Sequence, residues 1–227
     1  ECTSTTLPFA QLGPFTENRK AMMITDDGGV LVNTPVSNFK NNTMGVKTII
    51  DVDESGGAKV KADYTLYGDD RDELLMRYHD LNDDEKRKFF ISNLQWKQPG
   101  AFEITNSKDK ANPYLVSAKL DYEKIYSFNA GNKFFFETRL YPIFDEEIVD
   151  QDKRQRDYYF TNPYQVMDTT VYKFPVGFSL ENLPKNKSAK FAFAQYNSVY
   201  NWDTATHTLT TVALLQIKGR VIKAADY

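Results

Sequence analysis

Between residues 59 and 67 the chain alternates without a break. Val60, Ala62, Tyr64 and Leu66 are apolar or aromatic, while Lys59, Lys61, Asp63 and Thr65 are polar. Period two is the spacing of a strand with one buried face. A second apolar run, residues 44–52, precedes it across Asp53-Glu54-Ser55-Gly56-Gly57. Such a turn tolerates positive φ and predicts an antiparallel hairpin. The same device occurs earlier, where Asp26-Asp27-Gly28-Gly29 separates residues 20–25 from residues 30–33. These two hairpins commit the first third of the chain to antiparallel β structure.

Gly68 ends the alternation and the period changes. Leu74, Leu75, Tyr78 and Leu81 fall on one helical face, with Asp69, Asp70 and Asp72 in the first turn, which predicts a helix over 69–81. Asn82 followed by Glu85 has the spacing of a capped second helix, running to about 94. It would bury Phe89, Phe90 and Leu94 and leave the basic trio Lys86-Arg87-Lys88 in water. After Pro99-Gly100, strands are expected at 102–105, 115–122, 133–141, 169–174, 190–196 and 208–218, with turns at 175–177 and 201–205. Residues 145–157 read as an exposed connection. The absence of a βαβ rhythm gives the fold class: mainly β, an antiparallel β-sandwich in one large or two small units, with a helical hairpin inserted at about 69–95.

At 227 residues the chain can bury a substantial core, and 16 Phe and 14 Tyr suit half-buried strands. A formal net charge of −3 gives no general attraction to nucleic acid or anionic lipid. No apolar run reaches the roughly 20 residues of a membrane helix. Cys2 is the one cysteine, so neither an intrachain disulfide nor a cysteine-built zinc site is available.

Several short elements occur in a fixed order: Glu1-Cys2-Thr3-Ser4, Pro8-Phe9, Leu12-Gly13, Glu17-Asn18-Arg19, Gly28-Gly29 and Leu31 through Thr34-Pro35. Further on come Tyr67-Gly68, Leu81-Asn82-Asp83-Asp84-Glu85, Arg139-Leu140-Tyr141-Pro142, Asp168-Thr169, Phe174-Pro175-Val176-Gly177-Phe178 and Leu183-Pro184. Together they resemble the C-terminal β-rich domain of unknown function that follows the transglutaminase-like, cysteine-protease-like core of bacterial envelope proteins. The resemblance implies that residues 1–18 are the tail of such a core and its linker, and that residues 19–227 are the β-rich domain. It also implies an extracytoplasmic location, in the periplasm or cell envelope, and an upstream core of the same polypeptide as partner.

Catalysis of the core's kind needs a thiolate, an activating histidine and an orienting acid. Cys2 sits in a polar run, not at a helix start that would lower its pKa. Glu1 falls where the resemblance places the orienting acid, with the matching Cys and His upstream. His79 lies in the first helix and His207 at the start of a late strand, neither with an acid at useful spacing. Asp145-Glu146-Glu147, with Asp150 and Asp152, lacks the alternating ligands and central glycine of a calcium loop. No phosphate-cradling glycine loop, nucleophile elbow or dinucleotide fingerprint occurs. No catalytic residue, metal ligand or cofactor is therefore expected.

The aromatic runs are the remaining candidates. Within Phe134-Phe135-Phe136, alternation places the outer two on one face and Phe135 on the other, a core pattern. Tyr196, Tyr200 and Trp202, near a turn, are the candidate ligand surface. The expected role is that of a non-catalytic accessory domain, packing on the core or presenting a surface to a protein or glycan partner. A free-standing glycan- or peptide-binding β-sandwich is the alternative, distinguished by an exposed aromatic platform. A carboxylate-based hydrolase is a third reading and needs two perturbed acids in one pocket.

Overall fold

The computed structural model describes residues 7, 12–13, 15–78, 80–94, 96, 101–106, 113–144 and 155–226. Strand β1, Lys20–Thr25, pairs antiparallel with β2, Gly28–Asn33, across Asp26-Asp27, with both glycines paired inside β2. Strand β3, Thr43–Val52, pairs antiparallel with β4, Ala58–Leu66, across residues 53–57. Both hairpins close where the turn chemistry places them. In the second, Asp53 Oδ1 accepts from the backbone N–H groups of Ser55 and Gly57 at 2.8 and 3.0 Å. Gly56 takes φ +83 there, the left-handed region that glycine enters without strain.

Helix α1 spans Asp69–Tyr78 and α2 spans Asp83–Asn93. Asn82 caps α2: its Oδ1 accepts from Asp84 N and Glu85 N, while Glu85 Oε2 accepts from Asn82 N. This reciprocal pairing satisfies donors that the first turn of a helix leaves open. Phe90 is the buried residue of α2, with Tyr78, Phe89, Ile91 and Leu94 half-buried around it. Lys86 lies over the Tyr78 ring, 4.9 Å from its centroid.

Beyond the helices come β5, Ala101–Asn106, β6, Tyr114–Tyr122, β7, Phe128–Ala130, and β8, Lys133–Phe135. Then follow β9, Tyr158–Tyr159, β10, Tyr164–Lys173, β11, Lys187–Lys190, β12, Ala194–Asp203, β13, Thr208–Ile217, and β14, Val221–Ile222. Eight strands form one sheet in the order β11-β12-β13-β10-β3-β4-β6-β5, and β1-β2, β7-β8 and β9-β14 are two-stranded pairs. The fold is mainly β, rich in antiparallel pairing, with two inserted helices.

Four expectations need correction. The large sheet is not wholly antiparallel, because β10 runs parallel to β3 in the register Asp168↔Val46 and Thr170↔Thr48. Alternation reports which face a side chain takes but carries no strand direction. The strand expected over 133–141 stops at Phe135, and the chain continues as an irregular crossing over the sheet. The strand expected over 190–196 is broken by a turn: β11 ends at Lys190 and β12 begins at Ala194, with Phe191 N donating to Ala194 O at 2.8 Å. The later turn begins after Asp203, at residue 204, three residues beyond where it was expected to begin.

One face of the sheet is the core. Its rows run from β6 through Tyr64 on β4 and Val46 on β3 to Asp168 on β10, Ala213 on β13 and Ser198 on β12. The two helices, Trp96 and the crossing segment cover it, with Trp96 Nε1 donating to Tyr64 Oη at 2.8 Å. Phe136 packs on Tyr172 and Phe174, and Phe134 on Phe178, whereas Phe135 turns outward onto Phe128 at a centroid distance of 4.1 Å. The opposite face carries Lys47, Lys59, Lys61, Lys119 and Asp121 in water.

Candidate functional site

The core face is apolar except along its middle. Thr48, Asp168, Thr170, Thr211 and Ser198 lie there almost wholly out of solvent on four neighbouring strands. The period-two runs of β3, β10, β12 and β13 put them on the buried side, so their polarity needs partners within the molecule. Thr170 Oγ1 donates to Asp168 Oδ1 at 3.1 Å. Thr211 Oγ1 donates to the Thr138 carbonyl at 2.8 Å, and Tyr172 Oη to the Glu137 carbonyl at 2.7 Å. Arg139 completes the set. Its Nε lies 3.6 Å from Asp168 Oδ1, an ion-pair distance rather than a hydrogen bond, and Nη1 donates to Tyr196 Oη at 3.4 Å.

The polar inlay of the sheet therefore binds the crossing segment, residues 137–139, to the face it covers. Backbone carbonyls that leave regular pairing after β8 must be satisfied elsewhere. The hydroxyls of Tyr172 and Thr211 do this.

Electrostatics follow from burial. Asp168 is pushed up to about 6, because loss of solvent outweighs the Arg139 charge and the Thr170 hydroxyl. Burial also raises the Tyr200 phenol, but the Ser198 hydroxyl and the Arg139 guanidinium outweigh it and leave the group below its ordinary value. Arg139 is held firmly protonated: burial works against its charge, but Tyr196, Asp168 and Tyr200 more than compensate.

A second polar cluster sits at the start of α1. Asn42 Nδ2 donates to Ser37 Oγ and to the Pro163 carbonyl, while its Oδ1 accepts from Asp69 N. Asn162 Nδ2 donates to Asp69 Oδ2. Burial drives Asp69 up to about 6, against the Asn162 hydrogen bond and with help from Glu17 and Asp72. Arg71 and Asp72, in the first turn of α1, form a buried ion pair. The cluster fastens α1 to the loops around Asn42 and Asn162.

Tyr196, Tyr200 and Trp202 share the covered face of β12 and are all half-buried. Tyr196 is engaged by Arg139, and Trp202 packs on Phe174 and His207 at 5.8 and 6.2 Å. They flank the polar inlay at the margin of the core. His207 adopts φ +49, and its Nδ1 lies 3.1 Å from the Phe178 carbonyl. Glu1, Cys2, His79 and the acidic stretch from Asp145 to Asp152 lie outside the described residues. Among the described residues no group of three or more His, Cys, Asp or Glu is placed to hold a metal ion, and no helix is long and apolar enough to cross a membrane.

The signal for Asp168 was present in the alternation itself, since Val166, Asp168, Thr170 and Tyr172 share one parity and the outer pair is apolar. Arg139 carried no comparable signal.

Fold and inlay together define a mainly β domain in which two interior hydroxyls, of Tyr172 and Thr211, bind the backbone of the crossing segment. Residues 132–227 match a family described as a Domain of Unknown Function with solved-structure structure (DUF3858). No curated protein and no solved structure matches the chain. The matched residues supply β8 to β14, hence the strands from β10 to β13 and the crossing segment with Arg139.

Proposed function

We propose that this chain is a non-catalytic accessory module of a transglutaminase-like protein of the bacterial envelope, docking through β1–β2 onto another domain of that protein. One observation carries the reading. The ribbon exposes five large apolar side chains, Met22, Met23, Ile24, Val30 and Leu31. An isolated two-stranded hairpin is marginal in water, and exposed apolar groups on this scale mark an interaction site. The ordered likeness running from Glu1 to Pro184 supports the parentage. The interior polar groups support the non-catalytic part: Asp168 is sealed beneath the crossing segment and spent on Arg139 and Thr170.

The test is to sequence the gene upstream of Glu1, produce the encoded polypeptide separately, and measure its association with this chain. The reading expects an upstream Cys and His, and association that the double variant Met22→Lys/Ile24→Lys removes. No association, or association indifferent to that variant, overturns it.

A further inference from the structure

A ribbon that lay flat against a partner would need apolar side chains on one face only. β1–β2 has them on both. Met22 stands opposite Leu31, and Ile24 shares their face; these three are 68%, 61% and 80% exposed. Met23 stands opposite Val30 on the other face, with Ala21 opposite Val32 beside them. Apolar residues at every position of a strand are the pattern of a strand covered above and below.

Among the described residues, no further strand pairs with either edge of the ribbon. Thr34 N donates to the Arg19 carbonyl, so the hydrogen-bonded pairs of the ribbon fall at 19/34, 21/32, 23/30 and 25/28. The amides and carbonyls of Met22 and Ile24 on β1, and of Leu31 on β2, therefore point away from the partner strand. They form a bare edge on each side.

Area and charge narrow the occupant. Each face of a two-stranded ribbon of six-residue strands covers about 200 Å². Two faces and an edge are smaller than the roughly 800 Å² per partner of a tight complex between separate chains and match contacts between domains of one polypeptide, so the separated parts should associate weakly but measurably. The occupant is thus a tethered domain rather than a second copy. At the tip, Asp26 and Asp27 pair with no cation among the described residues. A Lys or Arg of the receiving domain would meet two unpaired carboxylates there.

We infer that β1–β2 completes a foreign sheet: one of its edges adds to an edge strand of a domain on the same polypeptide. That domain encloses the ribbon between two apolar layers and offers a Lys or Arg to Asp26 and Asp27. This rests on the docking role proposed above and specifies its mode.

The probe is the polypeptide encoded upstream of Glu1, titrated against this chain and against Met22→Pro, Leu31→Pro, Met22→Ala and Leu31→Ala. Proline removes an outward amide without touching the hydrogen bonds of the ribbon, and the alanines report the loss of side chain alone. Strand addition expects one of the two prolines to weaken association roughly tenfold or more beyond its alanine control. In the unsubstituted complex, the outward amides on one edge should exchange slowly with solvent. Prolines no worse than alanines, with those amides exchanging as in the free chain, would overturn strand addition while leaving docking intact. Absence of association, or a concentration-dependent dimer of this chain alone, would overturn both.

Discussion

Arg139 and Asp168 face each other at 3.6 Å with the carboxylate wholly out of solvent, and they join two stretches of different kind: an irregular crossing and the centre of a sheet. The pair does not stand alone in this. Tyr172 and Thr211 reach from the same sheet face to the same short stretch of backbone.

The folded state holds a proton on Asp168 and Asp69 up to about pH 6, whereas an ordinary Asp releases it near 3.8. Between these values the folded chain binds more protons than the unfolded one, so stability rises as pH falls through 6 towards 3.8. Carboxyls held low by hydrogen bonds, such as Asp53 and Asp157, work the other way, and their contribution is lost only below 3.8. Denaturant unfolding should show a gain on the order of 2 kcal/mol on acidification, and Asp168→Asn should remove much of it. A stability that falls steadily from pH 7 to 4 would contradict the burial of both acids.

Tyr172→Phe and Thr211→Val each remove one tie on the crossing segment, at a cost of about 1 kcal/mol. Amide exchange around residues 136–141 should quicken well before the β3 and β4 amides respond. Uniform quickening would mean that the segment opens only with the whole domain.

A Cβ on Gly56 would lie 2.5 Å from two Tyr126 ring atoms, at φ +83. Gly131 has φ +62 but nothing within 4 Å of its Cβ position. Gly131→Ala should therefore cost about 1 kcal/mol for the left-handed backbone alone, and Gly56→Ala several times that. Equal losses in thermal or denaturant unfolding would remove the argument from the Tyr126 contact.

Phe90 packs against Tyr78, Phe89 and Trp96, with centroids at 5.4, 5.7 and 6.4 Å. Phe90→Ala should cost on the order of 3 kcal/mol in reversible denaturation, and a loss below about 0.5 would mean that the helices do not share the core of the sheet.

What the sequence made legible was local chemistry. Asn82 and Glu85 carry their capping roles in their spacing, and the Asp/Gly stretches at 26–29 and 53–57 mark two antiparallel hairpins. The apolar parity of residues 58–66 names the core face of β4 residue by residue. Elsewhere strong β formers misled. Phe134-Phe135-Phe136 reads as the start of a long strand, yet the chain leaves the ladder after Phe135, because Glu137 and Thr138 give their carbonyls to Tyr172 and Thr211. Phe191 and Phe193 read as strand, yet they flank a turn and stack on each other at 5.7 Å. Tyr196, Tyr200 and Trp202 were singled out for their aromaticity. What places them is the sharing of one strand face with Ser198, beside an arginine some sixty residues earlier in the chain.

The parallel pairing of β3 with β10 has a consequence for how the molecule comes into being. Residues 43–51 meet partners more than a hundred positions later in the chain, so closing the middle of the sheet carries a large loop-closure cost and should be slow. Until then the nascent half built from residues 43–122 waits with a raw flank. The stretch shared with the family begins at residue 132, on the far side of that junction. Cut out alone, it would carry the whole length of β10 as an unprotected edge, an invitation to aggregate. The unit that must fold together is wider than the unit by which the family is recognised.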